Sequence, residues 1–287
     1  MDIQKVVTKL IKQKIINPNI KVCEELNGGT VSTLYLLTSE DGTKYVIKAN
    51  DPQIIKTEVY FLNFYKENDL LPNLLFMDPS HHYIVYSFLS GSSDYTEKNK
   101  KEILKALVKQ LINNYKAVPS KDGWGWADEL SNSWQGFLLN EITIAKEILD
   151  SYLGEEEFNF ILQLVKSEKR NILSKESFLL HGDCGIHNFI FDDGKLKGVI
   201  DPTPVIGNPL YDLIYAFCSS PDDLTKETLD SVVSHLTINN SRIHEVLYEE
   251  LLIGLYLRLK SCIKHHPDDF NNYIKAWFYW KDILKNT

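Results

Sequence analysis

Residues 180–201 read LHGDCGIHNFIFDDGKLKGVID. Two short apolar runs, Phe189–Phe191 and Gly198–Ile200, flank the turn residues Asp193-Gly194, the pattern of a β-hairpin. The hairpin gathers three polar side chains. Asp183 and Asn188 stand five residues apart ahead of the first strand, and Asp201 follows the second. An Asp and an Asn on one loop present two oxygen ligands, and a second Asp can reach the same point. Mg²⁺ takes few carboxylate or amide oxygens and completes its shell with water and substrate phosphates. Such a set leaves one Asp to accept a proton from a hydroxyl. Residue by residue, the same letters also describe a polar hairpin with turn-forming Asp and Asn.

Upstream of this segment the pattern changes twice. Residues 2–16 place Ile3, Val6, Val7, Leu10, Ile11 and Ile15 on one helical stripe that Asn17-Pro18 ends. Strands are then expected at Lys21–Leu26, Thr30–Thr38 and Thr43–Ala49, the last two joined by the hairpin turn Asp41-Gly42. Asp51-Pro52 is an N-cap followed by a first-turn proline, and predicts a helix to Asn68. Phe76-Met77 and His82–Leu89 read as two more strands, and Ser90-Gly91-Ser92-Ser93 as the turn that closes this part. Beyond it the chain is mainly helical, over 97–117, 133–153, 156–169, 210–218, 226–236 and 242–285, interrupted only by the hairpin. The expected fold class is α+β. A small antiparallel sheet lobe (residues 1–90) precedes a larger helical lobe (91–287), with a cleft between them.

With these elements in place, the hairpin segment resembles the aminoglycoside phosphotransferase and small-molecule kinase family, relatives of the protein kinases. The resemblance is carried by His181-Gly182-Asp183, four residues, Asn188, and Ile200-Asp201. The later Gly207-Asn208-Pro209-Leu210-Tyr211-Asp212-Leu213 matches the family's Gly-x-Pro-x-x-Asp-Leu. It spans essentially the whole chain through the order of the two lobes. The resemblance implies a bilobal kinase-like enzyme that transfers the γ-phosphate of ATP or GTP, with Mg²⁺, to a hydroxyl of a small molecule. Asp183 would be the catalytic base or the group that orients the attacking hydroxyl. Asn188 and Asp201 would hold Mg²⁺, and Asp212 would brace the catalytic loop from the interior.

The N-terminal lobe must supply a phosphate clamp. Lys48 stands in Val46-Ile47-Lys48 on the third strand, close to the Val-Ala-Ile-Lys context of kinase lysines. Its expected carboxylate partner is Glu58 in Glu-Val-Tyr-Phe-Leu on the next helix, with Glu67 as the weaker alternative. The turn between the first two strands carries adjacent glycines, Asn27-Gly28-Gly29-Thr30-Val31-Ser32, rather than a spaced GxGxxG. Backbone N–H groups of Gly28 and Gly29 and the hydroxyls of Thr30 and Ser32 could still cradle phosphate. The linker after the fifth strand, Ser87, Phe88 and Leu89, is expected to bond the nucleotide base through its backbone. Asp201-Pro202 is a second departure, since many relatives follow the metal-binding Asp with an aromatic residue. A non-catalytic nucleotide sensor is the reading from another class, and the intact set Lys48, Asp183, Asn188 and Asp201 argues against it. His-Gly-Asp in place of His-Arg-Asp, with no Ala-Pro-Glu segment after Asp201, argues against a protein kinase.

Composition narrows the partners. The chain has 287 residues, 44% hydrophobic and 24% charged, as soluble globular chains do. Its net charge of −8 is the wrong sign for a general nucleic-acid binder. No stretch approaches 18 apolar residues and no signal peptide is evident, so no membrane partner and a cytoplasmic location are expected. Cys23, Cys184, Cys218 and Cys262 show no metal-site spacing and read as free thiols. A monomer or weak dimer is expected. Trp124, Trp126 and Trp134 either line the acceptor pocket or pack a loop. Glu141, Glu245, Glu249, Glu250, Asp268 and Asp269 are the acidic candidates for the acceptor site, and His187 could touch substrate. The acidity is uneven: residues 1–90 hold 9 Lys against 10 acids, and the remainder 22 basic against 29 acidic residues. That division suits a cationic acceptor such as an aminoglycoside, ahead of a metabolic alcohol such as choline, a fructosamine, homoserine or a methylthio-sugar. On this basis the acceptor KM should rise with ionic strength in a coupled ADP assay. A salt-independent KM would return the surplus acids to solubility alone.

Overall fold

The computed structural model describes residues 1–26, 32–95, 99–119, 122–237 and 243–286. The N-terminal part is a five-stranded antiparallel sheet in the order β1-β2-β3-β5-β4. Its strands are β1 (Ile20–Leu26), β2 (Thr33–Ser39), β3 (Lys44–Ala49), β4 (Leu74–Met77) and β5 (Tyr83–Ser87). Gly42, at φ 86°, makes the turn between β2 and β3, where its lack of a Cβ is required. Helix α1 (Ile3–Lys12) starts at Asp2, whose carboxylate accepts the Lys5 N–H at 3.3 Å. It lays Val6, Val7 and Leu10 on Leu37, Ile47, Tyr83 and Val85 of the outer sheet face. Helix α2 (Pro52–Phe64) is capped by Asp51, which accepts from Gln53 N at 2.8 Å, and covers the inner face.

The rest of the chain is helical around a second, smaller sheet. Its helices are α3 (Lys100–Gln110), α4 (Trp134–Leu149), α5 (Glu155–Val165), α6 (Leu210–Cys218), α7 (Lys226–Val233), α8 (Leu247–His265) and α9 (Phe270–Lys285). Helix α8 is central and packs on α4, α5, α6 and α9. The expected hairpin is present as β9 (Phe189–Asp192) and β10 (Lys195–Val199), numbered after β6 (Ala117–Val118), β7 (Gly125–Trp126) and β8 (Ser177–Leu180). With β11 (Val205–Gly207), strands β6, β8 and β7 form the antiparallel sheet β6-β8-β11-β7. Sequence periodicity does not find this sheet. Its strands are two to four residues long, too short for an alternation, and their partners are distant in the chain.

A second difference lies at 242–285, expected as one helix. The chain breaks between α8 and α9 at His266, with φ −143° and ψ 55°, just before Pro267. Proline excludes the helical conformation from the residue before it and lacks the N–H to continue the ladder. His265 thus ends α8.

The two parts are stitched along the linker. Ser92 and Phe191 exchange both backbone bonds, at 2.9 and 2.7 Å, and Val199 N–H donates to Leu70 C=O at 2.7 Å. A Cβ on Gly198 would stand 2.5 Å from Leu89 Cδ1, so glycine lets the linker rest on β10. Tyr65, just past α2, donates to Leu179 C=O on β8 at 2.6 Å. Among the described residues no helix is long and apolar enough to cross a membrane. The outer layer offers a direct check. Leu10 is fully buried, and Leu10→Ala should cost about 2–5 kcal/mol of stability in urea unfolding.

Candidate active site

The site is built from Asp212 outward. Asp212 sits in the first turn of α6 with no solvent exposure. Its Oδ2 accepts the His181 N–H at 2.8 Å and the Tyr115 hydroxyl at 2.6 Å, and its Oδ1 accepts the Gly182 N–H at 3.0 Å. Burial pushes its pKa up to about 6, against these three hydrogen bonds. The loop after β8 is thereby fixed by its backbone. Gly182 lies at φ 81°, and a Cβ there would stand 1.8 Å from Thr203 O, so this position admits glycine alone. His181 is fully buried, and burial lowers its pKa to about 4, so its ring is neutral. Its Nε2 lies 3.1 Å from Ile200 C=O, which assigns the proton to Nε2. The same ring meets Phe61 of α2 edge-on at 5.6 Å. One imidazole therefore ties together the loop at 181–183, the loop at 200–203 and α2.

Asp183 follows in this fixed loop. Its Oδ1 accepts the Tyr215 hydroxyl, and its Oδ2 accepts Asn188 Nδ2 at 3.0 Å. His187 Nε2 lies 3.3 Å from Oδ1. Burial raises the pKa of Asp183, but the contacts with His187 and Tyr215 outweigh it and hold the carboxyl at about 2, ionised at neutral pH. Asn188 also gives Nδ2 to the Asp183 carbonyl at 2.9 Å. Its amide hydrogens are committed to Asp183, and its Oδ1 remains an acceptor. Ile200 N–H donates to Asn188 C=O at 2.9 Å, which sets Asp201 beside this loop. Asp201 is held at φ 61°, in the left-handed region, immediately before Pro202. That conformation costs of order 1 kcal/mol or more for a residue with a Cβ.

Lys48, 2% exposed on β3, joins the two parts of the chain. Its ammonium lies 2.6 Å from Glu58 Oε2 on α2 and also contacts Asp201 Oδ1. Burial works against its charge, but Glu58 and Asp201 more than compensate and raise its pKa, so it is a fixed cation. Glu67 is exposed and pairs with Lys66 instead. Asn188 Oδ1 and the half-exposed Asp201 carboxylate are the oxygens that could hold a metal ion. Among the described residues no three His, Cys, Asp or Glu side chains converge, so a metal held here would complete its shell with other oxygens, such as water or substrate phosphate. Ser32 accepts from Asn50 Nδ2 at 2.8 Å, close behind Lys48 in the chain. Gly28, Gly29 and Thr30 lie outside the described residues. In the linker, the Ser87 N–H is spent on Asn73 C=O at 2.9 Å and the Phe88 N–H on Lys44 C=O at 3.3 Å. Of these three residues, Leu89 is the one whose N–H has no acceptor among the described residues.

A cavity of about 160 Å³ opens behind Tyr215. Its walls include Trp126, Glu141, Tyr211, Tyr215, Arg258 and Lys260. Of the three tryptophans singled out in the sequence, Trp126 alone lines it. Trp124 and Trp134 are buried in the core. Trp126 Nε1 donates to Glu141 Oε1 at 3.0 Å, and Lys260 reaches Glu141 Oε2 at 3.4 Å. Glu250 also lines the cavity and is paired with the buried Arg170. Glu245, Glu249, Asp268 and Asp269 do not line it. Tyr215 escapes sequence reasoning, although a signal exists. It stands three residues after Asp212 on α6, so helical spacing turns it toward the loop that Asp212 fixes.

Residues 22–242 match the model of the phosphotransferase enzyme family. The chain belongs to that family. No curated protein matches this phosphotransferase. Among solved structures it is similar to the choline kinase LicA from Streptococcus pneumoniae, at 16% identity and TM-score 0.63, covering 98% of this chain and 100% of that one. It is also similar to a thermostable mutant of aminoglycoside phosphotransferase APH(4)-Ia in ternary complex with ADP and hygromycin B. There the identity is 15% and the TM-score 0.61, over 96% of this chain and 97% of that one. A streptomycin–ATP complex of APH(2")-IIa matches at 19% identity and TM-score 0.62, over 98% and 96% of the two chains. At these identities the likeness establishes the shared fold. By family, the protein is a small-molecule kinase.

The buried imidazole gives this phosphotransferase an acid sensitivity of known sign. Between pH 6.5 and about 4 the unfolded chain binds a proton at His181 that the folded chain refuses. Stability therefore falls as pH drops through that window, by about 3 kcal/mol from this group. His181→Gln keeps an N–H for Ile200 and does not titrate. Urea unfolding at pH 7 and pH 4 should show the parent chain losing more stability than the variant. Equal losses would show that His181 is not neutral inside.

Proposed function

We propose that this phosphotransferase moves the γ-phosphate of a nucleoside triphosphate, ATP or GTP, to a hydroxyl of a compact small molecule. The observation that carries the reading is the position of Asp183. Its ionised carboxylate is hydrogen-bonded to Tyr215 on the cavity wall. It is also joined through Asn188 to the loop of Asp201 and Lys48. An acceptor hydroxyl entering from the cavity meets an anion able to orient it and take its proton. Lys48, kept cationic and rigid by Glu58, is suited to the α- and β-phosphates, as in kinases that carry their lysine on the third strand. Asn188 Oδ1 and Asp201 are the oxygens that would hold Mg²⁺, which would supply neutralisation of phosphate charge there. Residues 1–90 form the nucleotide lobe of this proposal, with Leu89 N–H offered to the base, and 91–287 the acceptor lobe. Catalysis rests on positioning and charge, since the transferred group needs little covalent help.

The acceptor is small on this reading. A cavity of about 160 Å³ is below the about 300–1,000 Å³ that encloses drug-sized ligands, and favours a metabolic alcohol. The cationic antibiotic, placed first by the charge of the sequence, becomes the second reading, supported by the acidic surplus after residue 90 and by the hygromycin B and streptomycin named for two structures of similar fold. The cavity's own charges lend it no support, because Glu141 and Glu250 are both already paired. In a coupled ADP-release assay Asp183→Asn should lower turnover by about a hundredfold or more while Mg·ATP still binds in calorimetry. Tyr215→Phe should lower kcat by less and leave the KM for ATP unchanged. Full turnover in Asp183→Asn would overturn the assignment.

A further inference from the structure

Arg258 is the one charge on the cavity wall with no opposite partner among the described residues. Glu141 faces Lys260, and Glu250 faces Arg170. Arg258 instead donates from Nε to the Tyr273 hydroxyl at 3.1 Å and from Nη2 to Ser219 C=O at 3.0 Å. Its guanidinium also lies over the Tyr273 ring, 5.2 Å from the centroid. These contacts fix the plane of the guanidinium on α8 without neutralising it. They use two of its five N–H donors and leave three. A rigid, uncompensated guanidinium with spare donors, on the wall of a small pocket, is a receptor for planar anionic oxygens. Its neighbours on that wall, Tyr211, Ile214, Leu257 and Tyr215, are largely uncharged and raise the strength of such a contact.

Resting on the phosphotransferase reading above, we propose that the acceptor is a compact hydroxy compound bearing a carboxylate, which Arg258 binds while the hydroxyl reaches Asp183. The surplus acids of the chain then serve the surface, and the cavity itself selects for an anionic group. The carboxylate pairs with Arg258, and Tyr215, between cavity and Asp183, sets how far the hydroxyl must extend. The competing account is that Arg258 only caps the C-terminal end of α6 through Ser219.

The test uses the full chain with matched probes. γ-Hydroxybutyrate and glycerate are compared with their primary amides and with the corresponding amino alcohols. Binding is read by saturation-transfer NMR with Mg·ADP present, and turnover by ADP release. The carboxylates should bind at least about tenfold better than the amides, the worth of a charge-assisted pair. Arg258→Gln should abolish that preference and Arg258→Lys should keep part of it, in proteins whose thermal shift with Mg·ATP matches the parent's. The preference in the parent chain needs no variant to fold. Amides or amino alcohols bound as well as the carboxylates, no carboxylate bound, or a preference unchanged in Arg258→Gln would each overturn the proposal. Phosphorylated amides or amino alcohols without phosphorylated carboxylates would overturn it and leave the phosphotransferase reading standing. Arg258-dependent carboxylate binding with no phosphorylation of any probe would uphold it and count against that reading.

Discussion

One buried carboxylate holds the site in register. Asp212 carries charge into a region with no solvent contact and is stabilised there by two backbone N–H groups and a tyrosine hydroxyl. A buried acceptor left without donors costs several kcal/mol, so the loop at 181–183 has one favourable position relative to α6. Everything catalytic in the proposal follows from that position. His181 presents its ring to Ile200 and Phe61, Gly182 turns left-handed against Thr203, and Asp183 emerges beside Tyr215. The same helix α6 thus supplies both the anchor of the loop and the wall of the cavity.

The second constraint is the ion cluster of Lys48, Glu58 and Asp201. It is the place where the sheet, helix α2 and the hairpin loop share charge. Breaking a buried pair leaves an uncompensated charge, which ties the geometry around Lys48 to the packing of α2. Helix α2 is in turn held through Tyr65 on β8 and Phe61 on His181. The two parts of the chain are therefore coupled by polar contacts at the site itself, and by backbone pairing at the linker.

Much of this was legible from residue order. The hairpin turns at Asp41-Gly42 and Asp193-Gly194, the Asp51-Pro52 helix start and the stripe of α1 each signal through local conformational preference. Lys48 and Glu58 could be paired because a strand and the following helix put them within reach. The second sheet was not legible, since strands of two to four residues owe their existence to partners elsewhere. Nor was the break at His266, where the helical stripe continues on both sides and only Pro267 objects. Trp124, Trp126 and Trp134 looked alike as letters, and packing separated one wall residue from two core residues.

By itself the sequence determined the fold class and the order of strands and helices in the N-terminal part, and its motifs nominated Lys48, Glu58, Asp183, Asn188 and Asp201 as candidates. These are written in short-range patterns, because turn, cap and motif geometry depend on neighbours a few residues away. The tertiary structure alone decided which charges cancel. Whether Glu141, Glu250, Arg258 or Lys260 faces an opposite charge depends on how α4, α8 and the segment around Arg170 pack together. Coulomb energy depends on distance in space and on burial, and neither quantity is carried by position along the chain.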